Sequence, residues 1–310
     1  MMNWREAREA DLLECLAIEP RHLGDEIVGR ERALAIWKEL LRTRAFHSCV
    51  IECGSLPGRI LAFGASVFVA SDFATREIEN PRPGANDRLF AGIANGETVV
   101  RAEADLYNTA VDAPLDDMTL YGSWVDGVLS TEQLDGVKML LATAFVKLHA
   151  GYRHNRLFNE CVGHAQCEFV GSSGVWRTVK EYAECDRQLS VMTRKDAFSV
   201  SGSFAPSLFQ YQEPVLGLRD NEKHLLAEAL TRRSDSELAK RMNLSPATVK
   251  KRWQSLFERI ADTHPELLPL DDSVDRTQAR GPQKRHRILA YVHSHPQELR
   301  PYRWHSNGSR

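Results

Sequence analysis

Long apolar runs are missing from this chain. Its most apolar stretch, Ile60 to Ala70, is far shorter than the about 20 residues a helix needs to cross a bilayer. The opening residues, Met1-Met2-Asn3-Trp4-Arg5-Glu6, are polar and charged where a secretory leader carries an apolar segment. Cysteine is scarce, with six residues and no CxxC pair, so a disulfide scaffold is not indicated. A reduced cytoplasm, with most thiols buried as small apolar groups, is the expectation. GxSxG, HExxH and Walker A sequences are absent too, and with them the hydrolase, metalloprotease and P-loop readings. No internal repeat or low-complexity tract is found.

What is present is a length of 310 residues, enough for two domains. The hydrophobic fraction of 43% and the charged fraction of 26% are those of a globular protein. Net charge is only -2, but it is unevenly placed. Residues 211–310 hold 18 Lys and Arg against 13 Asp and Glu, leaving 22 against 29 in residues 1–210. An acidic front and a basic tail imply that the two parts meet different partners.

Periodicity predicts a strand or entry loop and a helix over Trp4 to Pro20, then a helix over Val28 to Arg44. Two nearly continuous apolar strands follow, Phe46 to Cys53 and Arg59 to Val69, around the turn Gly54-Ser55-Leu56-Pro57-Gly58. Asp72 to Asp87, rich in Pro, Asn and charge, reads as a surface loop. Met118 to Trp124 reads as a strand and Thr131 to Ala150 as a long helix, with Ser130 and Gln133 as a capping box. A strand over Arg156 to Val162, a short helix over His164 to Ser172, and strands over Val175 to Tyr182 and Leu189 to Thr193 complete the first domain. The chain beyond is helical, over Arg219 to Leu230, Ser234 to Met242, Pro246 to Ile260 and near Gln283 to Ser294.

The segment Ser234–Ile260 has the layout of a helix-turn-helix. Leu244 fills the turn, Ser245 suits an N-cap, and Pro246 suits the first helical position. Val249, Trp253, Leu256 and Ile260 form one apolar stripe. Lys250, Lys251 and Gln254 lie on the other side, with Thr248 and Arg252 flanking. Lys donors suit guanine edges, Gln suits adenine, and cations suit phosphates. The ordered residues Ser234-Asp235-Ser236-Glu237-Leu238-Ala239 and Leu244-Ser245-x-x-Thr248-Val249-Lys250 resemble the LuxR-type helix-turn-helix of bacterial regulators. That resemblance implies major-groove roles for Lys250, Lys251 and Gln254, and backbone roles for Ser245, Thr248 and Arg252. Thr231-Arg232-Arg233 departs from the family's glycine turn. Asp262 to Gly281 separates the place of its dimer helix, which leaves a homodimer open. The basic run Arg280 to Arg287 offers phosphate contacts or a solvated helix start.

The order of elements over 1–195 resembles the GNAT acyltransferase fold, with Trp4 to Asp11 like its opening and Phe169 to Val175 like its closing step. Gln133-Leu134-Asp135-Gly136-Val137-Lys138 matches that family's acyl-CoA loop at Gln133 and Gly136 only. Lys138 stands where the family has a small residue, and Asp135 adds a like charge beside phosphates. Cys161-x-x-His164-x-x-Cys167, with Cys185, reads as buried thiols and a surface His, with zinc the alternative. Asp116-Asp117 reads as a loop.

The fold expected is therefore an α+β N-terminal domain, GNAT-like with a mixed sheet flanked by helices, followed by an all-α helix-turn-helix domain. The boundaries are 1–195 for the sensor or scaffold, 196–214 for a linker, 215–262 for DNA binding and 263–310 for a basic extension with one helix. The function expected is a cytoplasmic DNA-binding transcriptional regulator of bacterial type. It would bind double-stranded DNA and an unknown small-molecule or protein effector, with no cofactor, metal or membrane. The alternative is a GNAT-type N-acyltransferase using acetyl-CoA or another acyl-CoA, with a DNA-binding domain attached.

Overall fold

The structure, a computed structural model, describes residues 2–18, 25–54, 59–108, 114–125, 127–230, 234–268 and 280–301. Residues 55–58 of the expected hairpin turn and Thr231-Arg232-Arg233 lie outside them. The chain divides into two compact units, residues 1–210 and 211–310. No helix among the described residues is long and apolar enough to cross a membrane.

The first unit is built on a mixed sheet. Its strands are β1 (Met2–Glu6), β2 (Phe46–Cys53), β3 (Ile60–Val69), β4 (Leu115–Trp124), β5 (His154–Val162), β6 (Arg177–Tyr182) and β7 (Arg187–Thr193). Their order across the sheet is 1-2-3-4-5-7-6. Neighbours run antiparallel except β4 and β5, which are parallel. Helices α1 (Leu12–Ile18), α2 (Asp25–Val28) and α3 (Arg30–Leu40) connect β1 to β2. The expected GNAT-like element order is present, with helices inserted between β3 and β4. These are α4 (Ser71–Glu79), α5 (Ala85–Ala94) and α6 (Glu103–Asn108). The reading of Asp72 to Asp87 as a loop is thereby corrected. Only the Pro-rich step before α5 is irregular, and Gly84 takes the left-handed φ of 90° that starts the helix.

Apolar faces explain the layers. On one face of the sheet Trp37 of α3 is fully buried and meets the rings of Phe46, Phe63, Phe90 and Tyr121 at 5.4 to 6.3 Å. The other face is covered by α7 (Thr131–His149), which buries Val137, Leu141, Ala144 and Leu148 against Cys49, Ile51 and Trp124. These α7 residues recur every three or four positions, so one stripe docks. The predicted capping box is in place. Ser130 Oγ accepts from the Gln133 N–H at 3.3 Å, and Gln133 Oε1 accepts from the Ser130 N–H at 2.9 Å. Short helices α8 (His164–Ser172) and α9 (Arg194–Ala197) follow β5 and β7. The stretch expected as a linker contributes Ala205, Leu208 and Phe209 to a core with Leu157 and Met192.

The described secondary structure of the second unit is helical. It holds α10 (Asp220–Ala229), α11 (Asp235–Arg241), α12 (Pro246–Thr263) and α13 (Arg280–Ser294). Val249, Trp253, Leu256 and Ile260 are buried as the stripe predicts, against Leu225, Leu238, Ile288 and Val292. Asn243 makes the tight step between α11 and α12 at φ 51°, a conformation its short polar side chain tolerates.

Candidate active site

The parallel pair β4 and β5 is joined over a short length only. Leu115 to Thr119 pairs with His154 to Asn159, whereas the strands continue to Trp124 and Val162. The cause lies on the opposite edge of β4. There Thr119 faces Ser66 and Tyr121 faces Ala65, so Leu120 is one residue too many. Such a bulge bends and twists its strand. It carries the end of β4 away from β5 and opens a crevice at the carboxyl ends of the parallel strands, where open α/β sheets receive ligands.

A cavity of about 680 Å³ occupies this crevice. Thr119 to Gly122 of β4, Asn159 to Cys161 of β5 and one face of α7 line it, with α8 and Ser203 to Leu208 closing its side. Gly122 sits on the wall, and a methyl group built there would meet no atom within 4 Å. By contrast, Gly64 beside it on β3 is crowded, with Cys49 Sγ at 3.1 Å and Leu141 at 3.4 Å from such a methyl.

Polar side chains gather around the crevice. Asn159 is buried, and its Oδ1 makes no hydrogen bond among the described residues. Asn86 of α5 donates to the Leu120 carbonyl at 3.0 Å. Gln166 of α8 spans the crevice, donating to Ser123 Oγ and accepting from the Val162 N–H at 3.4 Å. Glu160 turns to the other face of the sheet, where its carboxylate receives the N–H groups of Gly84 at 2.7 Å and Ala85 at 2.9 Å. Burial pushes this carboxyl above its ordinary range despite those donors. The Cys49 thiol on the cavity wall is pushed up to about 12 by burial, so it is no nucleophile at neutral pH.

Deeper in, Ser66, Asp117 and His149 meet. His149 Nδ1 lies 2.6 Å from the Phe145 carbonyl, which only accepts, so this nitrogen carries hydrogen. Nε2 lies 2.6 Å from Ser66 Oγ and 2.9 Å from Asp117 Oδ2. Asp116 turns instead to Arg156, at 2.8 Å. Both aspartates are thus strand residues with distant partners, which corrects their reading as a loop. An acid pair inside a strand was the signal for them. Nothing local in the sequence marked Leu120 or Asn159.

The residues singled out for acyl-CoA have other partners here. Gln133 is used in the cap described above, and a methyl on Gly136 would stand 2.9 Å from Met2 Cε of β1. Lys138 reaches the cavity mouth with its ammonium 5.2 Å from the Trp124 ring centroid and 6.0 Å from that of Phe169. Cys161 and Cys167 form a disulfide, tying β5 to α8. Those two sulfurs are therefore neither free thiols nor zinc ligands, and His164 is exposed at the start of α8.

On α12 the six residues read for DNA stand as follows. Ser245 caps the helix, its Oγ accepting from the Thr248 N–H at 3.1 Å. Lys250, Lys251 and Gln254 are exposed, Arg252 is half-buried, and Gln254 donates to Glu258 at 3.3 Å. Arg285 of the basic run is engaged within the second unit. It makes two bonds to Asp235, at 2.6 and 2.8 Å, and lies over the Trp253 ring at 4.7 Å.

No family model and no curated protein matches the chain. Solved structures do. A GNAT-family acetyltransferase from Staphylococcus aureus is 7% identical, over 62% of this chain and 99% of its own, with a TM-score of 0.32. A polyamine N-acetyltransferase from Drosophila melanogaster is 12% identical, over 62% of this chain and all of its own (100%), with a TM-score of 0.33. An agmatine N-acetyltransferase is 13% identical over the same shares, 62% and 100%, with a TM-score of 0.34. The expectation of a LuxR-family transcriptional regulator is corrected by these findings. The neighbours named are acetyltransferases, and nothing found supports DNA binding, a helix-turn-helix assignment or transcriptional control. The expectation of no cofactor is corrected on the same ground, because the neighbours are acetyltransferases and favour the alternative, acetyl-CoA.

Proposed function

We propose that the first unit transfers an acyl group from an acyl-CoA thioester to an amine. The observation that carries this reading is the crevice between the parted strands, with Gly122 bare toward open space on its wall. The residues present suit the donor. Beyond Thr119 the edge of β4 is not paired with β5. Its backbone offers hydrogen bonds to the amides of an extended pantetheine arm, as exposed strand edges do to peptides. Asn159 supplies an acceptor for one N–H. Lys138 at the mouth supplies a point charge for phosphate. When bound, acyl-CoA brings an activated acyl carbon with a thiolate leaving group. The amine attacks that carbon, the C–S bond breaks, and the amine's proton leaves to a base.

Gly122→Val tests the reading, because valine suits a strand and its methyls would fill the crevice. We expect titration calorimetry to show acetyl-CoA affinity falling by about tenfold or more, equivalent to about 1.4 kcal/mol. The melting temperature should hold, and thiol release with an amine panel should fall in step. Wild-type binding and turnover in this variant would sink the proposal.

A further inference from the structure

We infer that the cavity accommodates a long aliphatic acyl chain rather than acetyl alone, an inference that rests on the acyl-transfer reading above. Size is the first reason. At about 30 Å³ per water, 680 Å³ is room for about twenty waters, of which a pantetheine arm carrying acetyl would displace roughly two-thirds, leaving space for a longer acyl chain. Shape is the second. The lining runs along α7 from Lys138 to His149, about 16 Å at the helical rise of 1.5 Å per residue. Leu141, Ala142 and Phe145 recur on that face at three- and four-residue spacing, so one stripe faces the space.

Chemistry is the third reason. Across β5 the lining continues to Val175, Met192 and Leu208, all apolar. Charge is confined to the ends. Asp135, Lys138 and Glu168 stand at one, and His149 with its partners Ser66 and Asp117 at the other. The Glu160 carboxylate is turned away to Gly84 and Ala85. An uncharged passage suits a hydrocarbon tail, and Lys138 at its mouth is the cation available to a phosphate-bearing head, beside the acidic Asp135 and Glu168. Each methylene buried along the passage should raise affinity about fourfold until the space is filled.

The full chain is titrated with acetyl-, butanoyl-, octanoyl-, dodecanoyl- and hexadecanoyl-CoA, and with dodecanoate alone. In parallel, turnover is followed by thiol release with amino acids and polyamines as acceptors. We expect affinity to climb through the series and then level off. In Ala142→Phe, and separately in Val146→Phe, levelling should come several carbons earlier at an unchanged melting temperature. The two variants enter from neighbouring positions on α7, so a folding defect in one leaves the other informative. Equal affinity for acetyl- and dodecanoyl-CoA, or a length profile unmoved in both variants, overturns the inference. If acetyl-CoA still supports transfer in that case, the acyl-transfer reading survives alone. Dodecanoate binding as tightly as dodecanoyl-CoA, with no transfer to any amine, supports the hydrocarbon site and removes the transferase reading.

Discussion

Arg5 shows how much one side chain can organise. Its guanidinium reaches Asp11 through two bonds, at 2.6 and 2.9 Å, and Glu52 through Nε at 2.9 Å. It thus ties β1 to the turn before α1 and to β2. Burial alone would raise the Asp11 carboxyl. The Arg5 bonds and the Arg8 N–H outweigh it and hold the group below its ordinary value. A carboxyl depressed in the folded state adds stability above its unfolded pKa and loses it as pH falls through the folded value. Asp11→Asn should therefore cost about 1–3 kcal/mol at neutral pH, where the charged hydrogen bonds are lost. The cost should shrink toward zero in acid, and melting curves across that range check it. A variant whose deficit is the same at every pH would contradict the assignment. The link to Glu52 was not legible in the sequence, because Arg5 and Glu52 lie 47 residues apart. The Ser130–Gln133 cap was legible, because its two members are three residues apart and answer only to each other.

Helix α8 depends little on its own packing, since none of its residues is buried. It is held by the Cys161–Cys167 bridge, by Gln166 across the crevice and by Phe169 against Trp124. A helix with few buried contacts sits at the low-stability end of a fold. Cys167→Ser should raise amide hydrogen exchange across His164–Ser172 and leave the central strands β4 and β5 protected. Exchange read by mass spectrometry checks this, and an unaltered α8 would show that the bridge is not what holds it. Helix α7 was legible from its apolar period. Helices α4 and α5 were not, because Pro81, Pro83 and Gly84 coloured a whole stretch of which they form only the joint. The apolar runs of β2 and β3 showed as buried strands, but the parting of β4 from β5 depends on one surplus residue that no period reveals.

At the scale of the whole chain, the lower edge of the first unit lies later than the loss of apolar period at Arg194 suggested. Leu208 and Phe209 are buried with Leu157 and Met192. Truncation of either side chain in a core costs about 2–5 kcal/mol, so losing both costs at least about 4 kcal/mol. A fragment of residues 1–210 should melt cooperatively, while residues 1–195 should melt far lower or fail to fold. Equal melting temperatures would show that the segment adds nothing. Serine, glycine and proline made 196–214 look like a tether because a 3-10 turn lacks the period by which longer helices are recognised. Leu120 has a final consequence for the sheet as a whole. Side chains along a regular strand alternate, so residues three apart face opposite ways. Thr119 and Gly122 nevertheless look the same way, because each sits opposite a β3 residue on the α7 face: Ser66, which meets His149, or Gly64, where an added methyl would meet Leu141. Met118 and Tyr121, also three apart, both join the Trp37 core. The strand is thus written in two reading frames, with Leu120 as the inserted letter. Delete that letter and every residue from Leu115 to Thr119 changes parity, which would send Asp117 among the aromatic rings and Met118 toward His149.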